Sequence, residues 1–140
     1  MSYSVKYCRG LEQLPEAAEI RRKVFIQEQG FVNEFDETDN EAIHVLISHL
    51  GKAMATGRLF ENETGWHIGR VAVLSEYRGK RLGAMIITSL EEYAKKLGVK
   101  SISLSAQVQA SGFYSKLGYE NTGDLHMDEH CPHITMKKAL

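Results

Sequence analysis

One stretch organises this chain: Val71-Ala72-Val73-Leu74-Ser75-Glu76-Tyr77-Arg78-Gly79-Lys80-Arg81-Leu82-Gly83-Ala84. Its apolar, β-branched beginning predicts a buried strand. A short turn with three cations and two glycines follows, and apolar residues then recur at helical spacing from Leu82 to Leu97. The sequence therefore predicts a strand, a glycine-containing turn and a helix start. This is the geometry of a phosphate site, because the first N–H groups of a helix lack internal partners.

The charges of this turn support an anion site. Arg78, Lys80 and Arg81 lie where the helix dipole is positive, and each cation there is unfavourable by about 0.3–1 kcal/mol unless an anion is bound. The ordinary alternative is a basic turn kept for solubility. Gly79 and Gly83 favour the anion, because a residue without a Cβ lets a polyphosphate approach the backbone. The chain contains neither G-x-x-x-x-G-K-[ST] nor G-x-G-x-x-G, so neither a P-loop nor a dinucleotide site is predicted.

Composition is that of an ordinary globular protein. The 140 residues, 43% hydrophobic and 25% charged, predict a single domain over residues 1–140. A net charge of −1 gives no field that would attract nucleic acid. Cys8 and Cys131 form no C-x-x-C motif, which favours a reducing, cytoplasmic setting. No apolar run reaches transmembrane length and no signal peptide is visible, so we expect no membrane partner.

The hydrophobic patterns predict the element order β-α-β-β-β-α-β-α-β-β. Strands are expected near residues 2–8, 42–50, 53–61, 66–74, 100–106, 119–126 and 133–138. Helices are expected near 11–29, from 81 to the C-cap glycine Gly98, and near 109–117. The strand after the long helix should run parallel to the strand before it, in a mixed sheet with helices on both faces.

Two segments carry a resemblance to a known family. The turn Arg78-Gly79-Lys80-Arg81-Leu82-Gly83 resembles the Q/R-x-x-G-x-G/A pyrophosphate loop of the GNAT superfamily of N-acetyltransferases, with Arg81 where glycine is usual. The segment from Ala110 to Tyr119, ASGFYSKLGY, is similar to that family's A-x-x-F-Y-x-K-x-G-[FY] element. A small bacterial branch of uncharacterised acetyltransferases is also similar at 20–30, 105–107 and 132–134. The resemblance implies a single-domain α/β fold with a mixed, mostly antiparallel sheet of about seven strands.

The same resemblance implies an acetyl-CoA-dependent N-acetyltransferase, whose acceptor is the amine of a small molecule or peptide. The residues it implies for coenzyme binding are Val71, Ala72, Val73, Arg78, Gly79, Lys80, Arg81, Leu82, Gly83, Ala84, Gln107, Phe113 and Tyr114. The pantetheine arm should pair like an extra strand with the backbone around Val71 and Val73. An open strand edge offers the N–H and C=O groups for such pairing.

Tyr114 is the candidate general acid for the departing thiolate. A thiol has a pKa near ~8.5 and tyrosine one near ~10, so full proton transfer is uphill by about 1.5 units, or ~2 kcal/mol. A hydrogen bond alone would already stabilise charge on the sulfur. The alternative is an aromatic residue on the apolar face of a short helix, a role that fits Phe113 better.

A base must also neutralise the acceptor, because a lysine-like amine with a pKa of ~10.4 loses its proton at neutral pH only at a cost of about 4–5 kcal/mol. The candidates are Glu28, Glu34, Asp36, His44 and His133. Glu28 and His133 are favoured, since both match elements of the bacterial branch. The ordinary alternatives are a helix cap or a helix ion pair for Glu28 and a strand histidine with satisfied hydrogen bonds for His133.

Two further stretches leave alternatives open. Residues 126–133 hold three imidazoles and a thiol but lack metal-ligand spacing, so we expect no metal and an acceptor-shaping loop with His130 and Cys131 exposed. The acidic loop at 34–41 predicts either a cationic acceptor or a merely solvated loop.

A non-catalytic acetyl-CoA-binding regulatory module and a metal-binding interaction domain are the competing functions. The edge strands of such a sheet offer a route to a homodimer.

Overall fold

A computed structural model describes residues 2–140 of the chain. The strands are β1 (Ser4–Arg9), β2 (Ile43–His49), β3 (Lys52–Asn62), β4 (Gly65–Val73), β5 (Ser101–Gln107), β6 (Glu120–Asp128) and β7 (Cys131–Ala139). The helices are α1 (Pro15–Arg21), which continues as a π-helical segment (Arg22–Glu28), α2 (Leu82–Lys96) and α3 (Ser111–Lys116). The predicted order of strands and helices is confirmed.

The strands form one seven-stranded sheet in the order β1-β2-β3-β4-β5-β7-β6. Every neighbouring pair is antiparallel except β4 and β5. That pair is joined through α2, because a parallel connection needs a crossover. The predicted mixed, mostly antiparallel sheet is therefore confirmed.

Helices cover both faces of the sheet, as predicted. On one face, the apolar side of α2, with Ile86 and Leu90, packs against the strands. A Cβ on Gly57 of β3 would lie only 2.6 Å from Ile86 Cγ2, so this glycine lets α2 sit close to the sheet. On the other face, α1 packs through Ala17 and Ile20.

The helix predicted over 11–29 is divided into three pieces. A 3₁₀ turn covers Leu11–Gln13, α1 begins at Pro15, and π-helical bonding takes over from Arg22. Leu14 interrupts the helix with φ of −141°, because a residue before proline is disfavoured in the helical region. Pro15 itself occupies the first turn, as predicted.

No helix formed by residues 2–140 combines the length and the apolar composition that a membrane span requires.

Candidate active site

Strands β4 and β5 lie side by side only briefly before they separate. Their pairing is limited to His67 with Ser103 and Ile68 with Leu104. Beyond these residues, β4 continues to Val73, and its edge facing β5 is uncovered by any other strand within residues 2–140. The separation opens a cleft in the middle of the sheet, where backbone N–H and C=O groups remain available.

A cavity of about 320 Å³ occupies this cleft. Four residues predicted for coenzyme binding or catalysis line it together, namely Val71, Gln107, Tyr114 and His133, and the candidate base Glu34 also lies in its wall. They come from β4, β5, α3 and β7, so the separation of the strands gathers residues that are distant in sequence. The side nearer the acidic loop is lined by Phe25, Phe31, Asn33, Glu34, Arg58 and Arg70.

The predicted phosphate turn leads from the end of β4 into α2, which begins at Leu82. Gly79 and Arg81 have positive φ values of 84° and 63°. Arg81 thus adopts the left-handed backbone that glycine would favour, at a cost of about 1 kcal/mol. The side chains of Arg78, Lys80 and Arg81 are all exposed. Free helix N–H groups and exposed cations therefore occur together in this turn.

Phe113 packs against the start of α2. A Cβ on Gly83 would lie 3.3 Å from Phe113 Cζ, so the glycine permits the close approach of the ring. The Phe113 ring also contacts the Tyr114 ring edge to face, with centroids 5.0 Å apart. The phosphate turn and α3 are therefore neighbours in space, although about thirty residues of chain separate them.

Tyr114 lines the cavity, and burial raises the pKa of its hydroxyl to about 12. Proton transfer to a thiolate is then uphill by about 3.5 units, or about 5 kcal/mol, rather than the ~2 kcal/mol expected from ordinary pKa values. Donation of a hydrogen bond to a developing thiolate is favoured over early proton transfer. The neighbouring Tyr119 has a structural role, because its buried hydroxyl donates to Glu91 Oε2 at 2.7 Å.

His133 is buried, and its Nδ1 lies 2.9 Å from the carbonyl oxygen of Cys131. Because a carbonyl oxygen only accepts, Nδ1 carries a proton in this contact, which leaves Nε2 as the nitrogen that can exchange a proton with the cavity. The His126 ring stacks on His133 with centroids 5.9 Å apart. Strand pairing places His133 directly opposite Gln107. The cavity wall therefore contains an imidazole whose tautomer is fixed by the backbone.

The expectation that Cys131 is exposed is wrong. Only Glu129 and His130 separate β6 from β7, so Cys131 already belongs to a strand rather than to a loop. It is 9% exposed and lies in the apolar cluster that contains Phe31. Among residues 2–140, no group of three or more histidine, cysteine, aspartate or glutamate side chains is arranged to hold a metal ion.

Glu28 is bound to the phosphate turn. Its two carboxylate oxygens accept hydrogen bonds from Nη1 and Nη2 of Arg78, at 2.6 and 2.8 Å. The hydrogen bonds from Arg78 lower the pKa of Glu28. Arg78 Nε also donates to the carbonyl oxygen of Val73 at 3.1 Å. The carboxylate therefore fastens Arg78 across the end of β4, and its lowered pKa makes it a weaker base.

The acidic loop folds inward around arginines, which sequence analysis did not predict. Glu34 and Asp39 are each 4% exposed. Arg21 bonds Glu34 Oε2 at 2.8 Å and Asp39 Oδ1 at 2.7 Å. Arg58 bonds Asp36 Oδ1 at 2.7 Å and Asp39 Oδ1 at 2.8 Å. The expectation of a solvated loop is wrong for Glu34 and Asp39, which are buried against guanidinium groups, whereas Asp36, Glu37 and Glu41 are exposed.

Burial and pairing shift the pKa values of this network in opposite directions. Burial alone would raise the pKa of Asp39, but hydrogen bonds and charge from Arg21 outweigh burial and hold the pKa at about 2. For Glu34, burial outweighs the attraction of the arginines and raises the pKa. His44 Nε2 donates to the Asp39 carbonyl oxygen at 2.9 Å, and burial lowers the pKa of His44. His44, on β2, therefore stabilises the loop through its hydrogen bond to the backbone of Asp39.

Comparison with known proteins agrees with this geometry. The family model described as an acetyltransferase (GNAT) domain matches residues 12–140. The chain belongs to the GNAT acetyltransferase family. This GNAT protein is 39% identical to the uncharacterized protein YyaT of Bacillus subtilis over 132 residues, which are 91% of this chain and 89% of the relative. It is 33% identical to the uncharacterized N-acetyltransferase YjcF of Bacillus subtilis over 130 residues, 91% of this chain and 93% of the relative.

Solved structures also resemble this GNAT protein over its whole length. An acyl-CoA N-acyltransferase from Pseudomonas aeruginosa superposes with a TM-score of 0.87 at 25% identity, covering 99% of this chain and 100% of the other. Escherichia coli ElaA superposes with a TM-score of 0.84 at 23% identity, covering 98% and 99%. The predicted family and fold are both confirmed.

Proposed function

We propose that this GNAT protein is an acetyl-CoA-dependent N-acetyltransferase, acting as one domain over residues 1–140. The observation that carries the proposal is the cavity between β4 and β5, which has Tyr114 and His133 in its wall and lies on the strand that leads into the basic turn. A thioester carrier with a polyphosphate tail matches both features. The tail requires an anion site, and the thioester requires a shielded cavity.

The coenzyme is proposed to bind along the open edge of β4. Its diphosphate would accept hydrogen bonds from the first N–H groups of α2, beside Lys80 and Arg81. Its pantetheine arm would pair with the backbone of Val71 and Val73, because the other edge of β4 is already paired with β3. Phe113 would contact the coenzyme where it crosses the start of α2.

The transfer is proposed to be direct. The neutral amine attacks the thioester carbonyl carbon, the C–S bond breaks, and the acetyl group stays on nitrogen. Tyr114 first donates a hydrogen bond to the developing thiolate and then supplies its proton. His133 Nε2 takes the ammonium proton before the attack, and the second proton leaves the nitrogen for solvent as the amide forms. We assign Glu28 to positioning Arg78 rather than to these proton transfers.

The decisive experiment combines coenzyme binding with turnover. Calorimetry should detect binding of coenzyme A, and acetyl-CoA with a panel of amines should release free thiol. Tyr114→Phe should lower kcat by about 10²- to 10⁴-fold, with the Kd for coenzyme A nearly unchanged. Tyr93→Phe is the matched control, because Tyr93 lies on α2 and packs against Tyr7.

Three results would contradict this proposal. Absence of coenzyme binding would refute the function as a whole. Binding without thiol release across the panel would favour a regulatory module. Full turnover by Tyr114→Phe would remove Tyr114 from the mechanism.

A further inference from the structure

The acceptor side of the cavity contains charged side chains, and some of them are more completely paired with opposite charges than others. The charged residues of the cavity wall are Arg58, Arg70, Glu34 and Asp128, beside the imidazole of His133. Glu34 does not present a free carboxylate. Its Oε2 accepts from Arg21 at 2.8 Å, and its Oε1 lies 3.2 Å from Arg70 Nε. Asp128 lies on the opposite side, at the end of β6.

Arg58 is paired with two further carboxylates, those of Asp36 and Asp39. Its Nη1 bonds Asp36 Oδ1 at 2.7 Å and Asp39 Oδ1 at 2.8 Å, and its Nη2 reaches Asp36 Oδ2 at 3.1 Å. Its Nε is buried and finds no hydrogen-bond partner within residues 2–140. Hydrogen-bond acceptors are therefore in short supply on this side of the cavity.

The shortest hydrogen bond of Arg70 is longer than the shortest ones that Arg21 and Arg58 form to their carboxylates. Its Nε donates to the Glu34 carbonyl oxygen at 3.1 Å, and its Nη2 is 3.4 Å from Asp36 Oδ2. That second distance exceeds the 2.7–2.9 Å typical of charge-assisted bonds. The bonds that Arg70 forms within the described chain leave Nη1 unused. The Arg70 side chain is 24% exposed, against 5% for Arg58.

The surrounding electrostatics favour an added anion at Arg70. Burial in the cavity wall is the main cause that lowers the pKa of Arg70, and the positive charges of Arg58 and Arg21 lower it further. The attraction of Glu34 and Asp36 does not cancel these effects. A negative group beside Arg70 would relieve the repulsion among the three arginines.

The backbone also holds Arg70 in an unusual place. Arg70 has a φ of 52°, and the pairing of β3 with β4 shifts register at this point, opposite Gly57. Ile68 and Val71 both pack in the same core although they are three residues apart, so one extra residue is accommodated between them. Such a bulge redirects a side chain, and the left-handed backbone is unfavourable for an arginine.

We propose that the acceptor is a small amine that also carries a carboxylate, as an amino acid does, and that Arg70 binds this carboxylate through Nη1 and Nη2. This inference rests on the proposed transferase function. The planar fork of arginine matches two carboxylate oxygens. The cavity of about 320 Å³ is at the lower end of the range of about 300 to 1,000 Å³ for ligand cavities, and the thioester shares it, so only a small acceptor fits beside the thioester.

The test compares amino acids with their own carboxamides. L-amino acids and the matching amides serve as acceptors with acetyl-CoA, and thiol release gives kcat/KM for each pair. The acids should exceed their amides by about 10- to 100-fold. Arg70→Gln should remove this preference by lowering kcat/KM for the acids alone, and Arg70→Lys should retain an intermediate preference, because it keeps the charge without the fork.

Matched controls separate binding from folding. Arg22→Gln removes an exposed arginine that pairs with Glu19 outside the cavity, and it should leave the preference unchanged. Thermal denaturation of each variant checks folding. The same acids and amides are also added to the protein saturated with coenzyme A, and the shift in Tm is measured for each. This measurement reports carboxylate binding even for acceptors that turn over slowly.

The outcomes distinguish this inference from the function on which it rests. Loss of coenzyme A binding in calorimetry would overturn the transferase proposal itself. Turnover in which amides equal or exceed acids would overturn only the carboxylate subsite. Equal Tm shifts by acids and amides would also overturn the carboxylate subsite. So would an equal fall in kcat/KM for acids and amides in Arg70→Gln.

Discussion

The basic turn at the start of α2 and the arginine network beneath the acidic loop use the same cations in opposite ways. In the turn, Lys80 and Arg81 are exposed and lie at the unfavourable end of a helix dipole. In the network, Arg21 and Arg58 are buried, and Asp39 bonds both of them. We propose that the exposed cations of the turn bind a ligand, whereas the paired cations hold the acidic loop in place, with Arg58 in the wall of the cavity.

This contrast predicts where a mutation should affect stability and where it should affect binding. Removing a buried partner leaves an uncompensated charge in the interior. Removing an exposed cation changes little in the folded chain but withdraws an attraction from the ligand. Arg70 lies between the two extremes, since it is partly exposed and incompletely paired.

The largest effect is expected for Asp39→Ala. This change leaves the guanidinium groups of Arg21 and Arg58 buried without their shared carboxylate, and it should lower the free energy of unfolding by about 3–5 kcal/mol. Urea denaturation measures the change. Glu19→Ala, which breaks the exposed pair with Arg22, should cost less than about 1 kcal/mol. Equal losses in the two variants would contradict the distinction between network and surface pairs.

Charge reversal in the turn should have the next largest effect, on binding alone. Lys80→Glu combined with Arg81→Glu should weaken coenzyme A binding by at least about 100-fold, since bonds to charged groups contribute about 1.5–3 kcal/mol each and two are lost. Stability should stay the same or rise slightly, because acidic residues suit a helix N-terminus. Calorimetry and urea denaturation measure the two quantities.

The opposite end of the same helix provides the control for that variant. Lys95→Glu combined with Lys96→Glu alters two cations in the last turn of α2. Here the cations are favourable, so stability should fall by a few tenths to about 1 kcal/mol, with no change in coenzyme A affinity. A loss of affinity in this variant would mean that overall charge, not the turn, attracts the coenzyme.

A smaller effect is expected from acid. Asp39 has a pKa of about 2 against an ordinary value of 3.8, so its contribution is present above pH 3.8 and is lost as pH falls through 2. The difference amounts to about 2 kcal/mol. The raised pKa of Glu34 acts with the opposite sign. Unfolding of wild type and Asp39→Asn between pH 5 and pH 2 isolates Asp39, and parallel curves would refute its role.

The smallest effect is expected for Glu28→Gln. An exposed ion pair contributes about 0–1 kcal/mol, so KM for acetyl-CoA should change by no more than about fivefold and kcat should be retained. Tyr114→Phe is the reference for a loss in kcat. A fall in kcat of about 10²-fold or more in Glu28→Gln would instead make Glu28 the base, against our assignment.

The regions that could be read from the sequence are the local ones. The turn at 78–84 lies within one stretch, so its glycines, its cations and the following helical periodicity predict it together. The parallel relation of β4 and β5 follows from the helix between them. The buried network was missed, although Arg21 falls on the apolar stripe of α1, where an unpaired charge is not tolerated. That position indicates a buried partner but cannot identify it.

The order of the elements and the family follow from local sequence, because helix starts and strand alternation depend on neighbouring residues. The same local patterns predict the anion site. Which titratable groups lie close together depends instead on contacts between distant segments. The separation of β4 from β5 brings Tyr114 and His133 to one cavity. Glu28 is paired with Arg78 instead and does not line this cavity. Pairing and burial between distant segments set these environments, and such contacts leave no periodic trace in the chain.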